Sequence, residues 1–325
     1  MRKLAIIGAG IAGLTLARLL HGRADVTVLE KSRGLGGRMA TRRAGRFEFD
    51  HGAQYFTARS REFQRFIQQH SDTGIVQDWQ PRTLTLGNTE KPYNRPWFEP
   101  HWVGVPAMNN LGKALADGQH VDLAAQVERI EREKSGWTLV LQDGSNRGVF
   151  DWVVCTAPAA QCRQLLPGSF QHHQALRKVR MSGCFTLMLG FNTDPGLPFQ
   201  AAKIKDPALG WVAVNSSKPR RGQGFSLLAQ STNDWADTHM ELPLPVIQQQ
   251  MMDTLTALFP TLPTPDHADI HRWRYAATTV PLEQDFLLDR HNGLAACGDW
   301  CLGGRVEAAF TSAFRLAGAL QPELG

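Results

Sequence analysis

The stretch KLAIIGAGIAGLTLARLLHGRADVTVLE, Lys3 to Glu30, decides the fold. It reads as a short buried strand (Leu4–Ile7), a glycine turn, a helix ending near Gly22, and a second strand rich in β-branched residues. The turn is Gly8-x-Gly10-x-x-Gly13, and Glu30 closes the second strand twenty residues after Gly10. Each position has a physical task. Gly8 permits the tight turn, Gly10 lets a pyrophosphate reach the backbone, and Gly13 lets helix and strand pack closely. Ile11 and Ala12 open the helix, whose unpaired N–H groups and partial positive charge suit phosphate. Glu30 suits a ribose diol, and its charge repels a 2′-phosphate. A glycine triplet alone is weak evidence, but strand, turn, helix, strand and acid in this order point to dinucleotide binding.

The next stretch, EKSRGLGGRMATRR (30–43), adds Lys31, Arg33, Arg38, Arg42 and Arg43 around Gly36 and Gly37, with Arg46 close behind. The whole chain carries a formal net charge of +5, mild for 325 residues, and its basic residues are interleaved with acids. A nucleic-acid surface is therefore not the expectation. No run of eighteen uncharged apolar residues occurs, so no membrane span is expected. The apolar start resembles the beginning of a secretory signal, but Arg18 and His21 follow at once and no A-x-A site closes it. Five cysteines without a CxxC pair read as free thiols of a cytoplasmic protein. His172-His173 and the pair His267/His271 lack a metal-ligand context, so no metal is expected.

The length favours two domains. Beyond Thr57, SREFQRFIQQH (60–70) reads as a helix and IVQDWQPRTLTLG (75–87) as strands joined by a turn. PAMNNLGKALADG (106–118) reads as a helix with Pro106 in its first turn. Residues 126–158 read as strands divided by Ser-Gly and Asp-Gly turns, ending on Trp152–Cys155. The middle section mixes the strands CFTLMLGF (184–191) and FSLLAQS (225–231) with one good helix, LPLPVIQQQMMDTLTALF (242–259). LAACGDWCLGGRVEAAFTSAFRLAGAL (294–320) closes the chain as a strand, a second ligand-type turn with Asp299 and Gly303-Gly304, and a helix from Arg305. The fold class is α/β: a Rossmann-like nucleotide-binding domain (1–56, 102–160 and 291–325) with a mixed-sheet α+β substrate domain (57–101 and 161–290).

The motifs GAGIAG, Glu30, RGLGGRMAT, FDHGAQYFT, VVCTAP and CGDWCLGGRVEAAFTSA stand in the order found in FAD enzymes of the flavin amine oxidase superfamily. Within it, GGRMATRR, SSKPR (216–220), HRWRYA (271–276) and CGDWCLGGRVE resemble the bacterial renalase family, nearly end to end. The resemblance implies that Gly36 and Gly37 pass close to the FAD pyrophosphate. It implies that Arg38 bonds a phosphate oxygen, with Thr41 fixing the loop. Lys31 then borders the cofactor, while Lys31, Arg42 and Arg43 are otherwise expected to be solvated. It places Asp299 on the ribityl–phosphate region, Arg305 and Val306 beneath the flavin, and Val127 on the strand beside adenine, where a core role is an equal alternative. Gln54 and Tyr55 follow a strand that would end at the flavin. Trp273 and Tyr275 alternate with Arg272 and Arg274, so one face of HRWRYA offers aromatic pocket candidates. Packing alone would explain those aromatics equally well. AATTVPL (276–282) contains no cysteine, so FAD is expected to be non-covalent.

The renalase resemblance further implies oxidation of the 2- and 6-dihydro isomers of NAD(P)H to NAD(P)+, with O2 reduced to hydrogen peroxide. No obligatory base is assigned, because the dihydropyridine nitrogen already drives hydride departure. The competing expectations are an oxidase of small amines on the same scaffold and a non-enzymatic flavin-bound redox sensor. No protein partner is inferred, and Lys218 in SSKPR has no assigned role.

Overall fold

The computed structural model describes residues 1–87, 90–94 and 98–324, with Glu90–Asn94 described by backbone alone. The opening stretch folds as read: strand Lys3–Ile7, helix Ile11–Leu20 and strand Asp25–Leu29. These two strands pair in parallel within a six-stranded sheet. Its order is Leu287–Asp289, Leu294–Ala296, Trp152–Cys155, Lys3–Ile7, Asp25–Leu29 and His120–Asp122. Only the edge strand Leu287–Asp289 runs antiparallel. Leu4, Ala5 and Ile6 are fully buried, as an unbroken apolar strand covered on both faces must be. Helix Ile11–Leu20 packs against the C-terminal helix Val306–Leu324 and helix Asn110–Ala116. A three-stranded antiparallel sheet, Val127–Glu133, Gly136–Leu141 and Asn146–Phe150, has the two expected turns.

The second large sheet has seven strands in the order His267–Val280, Arg180–Phe191, Phe225–Ser231, Leu209–Val214, Ala201–Lys205, Thr83–Gly87 and Glu90–Asn94. Helix Leu244–Leu258 lays Ile247, Met251 and Leu255 on one face of it, an i, i+4, i+8 stripe. On the other face, Phe47 and Phe49 pack against Met188 and Leu228. Strand Arg180–Phe191 is therefore buried from Ser182 onward on both sides.

Packing cuts the chain differently from the expected boundaries. Helix Arg61–Asp72 and strand Val76–Asp78 had been expected in the substrate domain. Phe63, Ile67, Val76 and Trp79 instead share a core with Leu14, Phe310 and Leu316 of the nucleotide-binding part. Cys162, Leu166, Phe170 and Leu176 likewise pack with Val153, Cys155 and Trp300. Strands Val76–Asp78 and Thr83–Gly87 are not a hairpin, since they enter different sheets. The helix expected from Pro106 begins at Asn110, and ahead of it the Met108 N–H is held by the Asp50 carboxylate at 3.0 Å. Among the described residues, no helix is long and apolar enough to cross a membrane.

Candidate active site

The glycines of the opening turn are where their lack of a side chain is needed. Gly8 has φ +109°, and a Cβ at Gly13 would lie 2.0 Å from the Gly8 carbonyl oxygen. Gly10, by contrast, faces open space, so its backbone is free to meet a phosphate. It caps helix Ile11–Leu20 and bridges to Gly36, bringing the two glycine elements together. Gly37, at φ +55°, lies so close that its Cβ would stand 3.3 Å from the Gly10 Cα. Glu30 is buried at the strand end and accepts N–H groups from Ala9 and Ser32, both at 2.8 Å, and the Ser32 hydroxyl. Val127 is buried at the head of its strand, paired with Leu141. Exposed Lys31 borders a cleft of about 330 Å³ with Ala124, Gln126, Leu141, Gln142 and Asp143.

Arg38, expected on a phosphate oxygen, and Asp299, expected on the ribityl–phosphate region, meet each other. Arg38 Nη1 lies 2.8 Å from Asp299 Oδ2, and Nη2 bonds Oδ1, a fork-to-fork pair. Nη1 also reaches the Ala276 carbonyl at 3.4 Å, on strand His267–Val280. The guanidinium thus engages a carboxylate first, and any phosphate contact has to be made alongside that pair. At the C-terminal turn, a Cβ on Gly304 (φ +73°) would lie 2.9 Å from the Thr278 nitrogen. Arg305 is exposed, and half-buried Val306 opens the last helix against the first core. Glu307 turns away, accepting the N–H groups of Arg59 and Ser60 at 3.1 and 2.6 Å.

Beyond Arg38 the site becomes aromatic. Trp273 donates its Nε1–H to the His51 carbonyl at 2.8 Å, and its ring stacks on the His51 ring at 5.1 Å. His271 sits edge-on to both rings, at 4.8 Å from His51 and 4.3 Å from Trp273. Burial first, then the neighbouring ring and Arg42, pull His51 down to about 4. Burial and then Arg42 pull His271 down to about 4 as well. Both rings are neutral at pH 7. His271 Nδ1 must accept from Arg42 Nη2 at 3.2 Å, because a guanidinium only donates. Arg42 also pairs with Asp269 at 2.5 Å, so this partly solvated side chain is given a carboxylate and an imidazole by strand His267–Val280. Arg43 is exposed and pairs with Glu48 at 2.8 Å.

Arg272 and Arg274 reach Leu242 and Glu241, on the side away from Trp273. Half-buried Tyr275 lies where the register with the neighbouring strand shifts, between Ser182 and Cys184. Tyr55 packs edge-on to His101 at 4.3 Å and tilted to Trp211 at 5.9 Å. The Gln54 amide is consumed by protein groups. Its Nε2 donates to the Asp50 and Gly52 carbonyls at 2.6 and 3.1 Å, and its Oε1 accepts from Lys218 at 3.3 Å. Gln54 therefore shapes the turn, its amide engaged by the Asp50 and Gly52 carbonyls and by Lys218.

Asp50 and Arg221 were not singled out in the sequence, and Lys218 was singled out there without a role. Their signals were an acid inside FDHGAQ and a lysine beside a proline, neither of which announces burial. Burial would raise the Asp50 carboxyl, but Lys218 and Arg221 beside it, with bonds from Thr41 and Met108, hold it well below the usual carboxylate range. Thr41 thus fixes its loop by donating to Asp50 at 2.7 Å. All five cysteines are buried free thiols, and burial pushes Cys184 up to about 11 and Cys301 to about 12.

Two features test whether a flavin dinucleotide fits this cleft. Gly10 offers open backbone at a helix N-terminus. Three buried polar atoms without a protein partner lie close to residues named above: Asn109 Oδ1 near Gly36, Thr278 Oγ1 near Gly304, and His51 Nδ1 beside Trp273. The residues fit the group. Residues 98–321 match the family model described as flavin containing amine oxidoreductase. The chain belongs to that family. Residues 6–70 separately match an NAD(P)-binding Rossmann-like domain. Among curated relatives of this flavin amine oxidoreductase, renalase of Mus musculus is 26% identical over 303 residues, 86% of each chain. Among solved structures, cyclohexylamine oxidase from Brevibacterium oxydans IH-35A superposes with a TM-score of 0.74 at 15% identity, covering 99% of both chains. Putrescine oxidase bound to putrescine gives 0.73 at 14%, covering 98% of both. At such identities the two structures speak for the fold. The chain is a renalase-like, flavin-dependent oxidoreductase of this family.

Proposed function

We propose that the protein binds FAD non-covalently and oxidises 2- and 6-dihydro isomers of NAD(P)H to NAD(P)+, hydride passing to flavin N5 and electrons then to O2, giving hydrogen peroxide. In this reading Gly8, Gly10, Ile11, Ala12, Gly13, Gly36 and Gly37 hold the pyrophosphate, and Glu30 the ribose. Val127 and Lys31 border adenine, and Arg38, Asp299, Arg305 and Val306 flank the ribityl chain and ring. FAD supplies the two-electron acceptor; the chain supplies position and electrostatics.

The observation that carries the substrate reading is the neutral aromatic wall of Trp273, His51 and His271. Trp273 is held on both its ring face and its Nε1, and both imidazoles are uncharged at pH 7. A dihydropyridine needs such a surface to stack on and no base to deprotonate it. Tyr55, Trp273 and Tyr275 are the proposed pocket aromatics. The buried free thiols accord with a cytoplasmic setting. Oxidation of a small amine is the second reading, favoured by the family's description. Anaerobic stopped-flow bleaching of the bound flavin separates them. Rapid reduction by the dihydronicotinamide isomers with inert amines is expected, and the reverse pattern would establish amine oxidation instead.

A further inference from the structure

Asp50, Lys218 and Arg221 form a charged group sealed from solvent, their side chains 0%, 0% and 1% exposed. Lys218 Nζ lies 3.2 Å from Asp50 Oδ2 and 3.3 Å from Gln54 Oε1, with the Trp79 ring centre 5.4 Å away. Arg221 gives Nε and Nη2 to the same Asp50 oxygen at 3.1 and 2.7 Å, and Nη1 to the carbonyls of Pro106 and Pro219. The other Asp50 oxygen takes the Thr41 hydroxyl and the Met108 N–H.

The charges do not cancel. Among the described residues, two cations face one carboxylate, and the other groups that touch them are neutral. Trp79 presents an indole, Gln54 an amide, and the segment at Met108 only backbone. On the Asp50 side, the Asn215 amide accepts the Asp50 N–H at 3.4 Å. Among the described residues, the charged groups facing Lys218 are thus Asp50, after strand Phe47–Phe49, and Arg221 on its own loop. One surplus positive charge is buried where the dielectric is low and its field is poorly screened. A purely structural hub gains nothing from that imbalance, because an uncompensated buried charge is destabilising.

We propose that the surplus positive charge of the Asp50–Lys218–Arg221 triad stabilises the negative charge of the reduced flavin, and that Lys218 exchanges a proton in step with the redox state. The proposal rests on the flavin reading above. Lys218 is bonded to Gln54, and the turn from Asp50 to Gln54 lies against the flavin-side residues. A Cβ at Gly52 in that turn would stand 2.0 Å from the Arg38 carbonyl oxygen and 3.4 Å from the Trp273 ring.

The electron count closes without Lys218. A hydride carries two electrons and one proton, and its arrival leaves one negative charge on the flavin. Lys218 adds a second, linked event. Burial lowers it to about 8, so above that pH the ammonium has lost its proton while the flavin is oxidised. New negative charge nearby raises its affinity for a proton. Reduction at such pH then takes up one proton from solvent onto Nζ. The midpoint potential should therefore fall more steeply with pH above about 8. One extra proton per two electrons is a tenfold change in the equilibrium constant per pH unit, or about 30 mV.

The test measures the flavin midpoint potential of the FAD-loaded protein by dye equilibration from pH 6.5 to 10, for wild type, Lys218→Met and Lys218→Arg. Lys218→Met should shift the potential to more negative values at pH 7 and remove the steepening. Lys218→Arg should hold the pH 7 potential, because the charge stays, yet lose the steepening, because guanidinium does not titrate there. A yellow Lys218→Met protein with wild-type potential and slope overturns the proposal, as does a Lys218→Arg protein that keeps the steepening. If Lys218→Met does not retain FAD, the Lys218→Arg slope decides alone. A wild-type protein that binds no flavin would overturn the flavin reading itself, whereas bound flavin with insensitive potentials overturns only this inference.

Discussion

Replacing Asp50 by Asn keeps the shape of the side chain and removes its charge, leaving Lys218 and Arg221 buried without a counter-ion. Asp50 accepts five bonds, from Thr41, Met108, Lys218 and twice from Arg221, at 2.7–3.2 Å. Asn can keep an acceptor for some of these, but its amide N–H₂ would confront cations on one side. Breaking a buried pair by removing one partner costs about 3–5 kcal/mol, a large share of the roughly 5–15 kcal/mol of a typical native state. Asp269→Asn is the internal control. Its pair with Arg42 is 39% and 35% exposed on the two sides, so it should change stability by about 0–1 kcal/mol. Urea unfolding at pH 7, followed by tryptophan fluorescence, should show a large drop in midpoint for Asp50→Asn and almost none for Asp269→Asn. Thr41 ties loop Gly36–Thr41 to this group, so a destabilised Asp50→Asn protein should also release flavin more readily. Equal midpoints for the two variants would refute the reasoning, since burial of the charge is the only large difference between them.

Three further outcomes are expected. Gly13→Ala should yield a protein poor in flavin and less stable by about 1–3 kcal/mol or more, since the new Cβ meets the Gly8 carbonyl oxygen at 2.0 Å; a yellow, fully stable variant would contradict this. Arg38→Ala should weaken FAD binding far more than Arg43→Ala in equilibrium titrations, because it strands the nearly buried Asp299, whereas Arg43 is an exposed partner of Glu48. Because His51 and His271 have native values below their usual 6.5, the unfolded chain binds more protons between about pH 6.5 and 4. Their contribution is thus fully present above pH 6.5 and is lost as pH falls toward 4. Thermal melts across that window should show a shallower decline in His51→Gln, and an unchanged decline would count against neutral, buried imidazoles.

How much of this could be read before folding depends on the reach of each interaction. The strand–turn–helix–strand unit and its acid are local: the tasks of Gly8, Gly10, Gly13 and Glu30 lie within one short stretch, where steric limits on φ and the 3.6-residue period act directly. The Rossmann-like, dinucleotide-binding class was legible for that reason, and the flavin followed from the resemblance carried by motifs such as RGLGGRMAT and CGDWCLGGRVE. The partners of the charged residues were not. Arg38 finds Asp299 across 261 residues, Arg42 finds Asp269 across 227, and Asp50 finds Lys218 across 168. A sequence shows that these side chains carry charge, but desolvation and pairing arise only when distant segments close around them. The same holds for the domain cut, where Phe63 and Cys162 are apolar in either reading and only the competing surfaces decide which core they join. Local geometry named the cofactor turn; the surplus charge buried beside it exists only in three dimensions, because burial is a property of the whole fold.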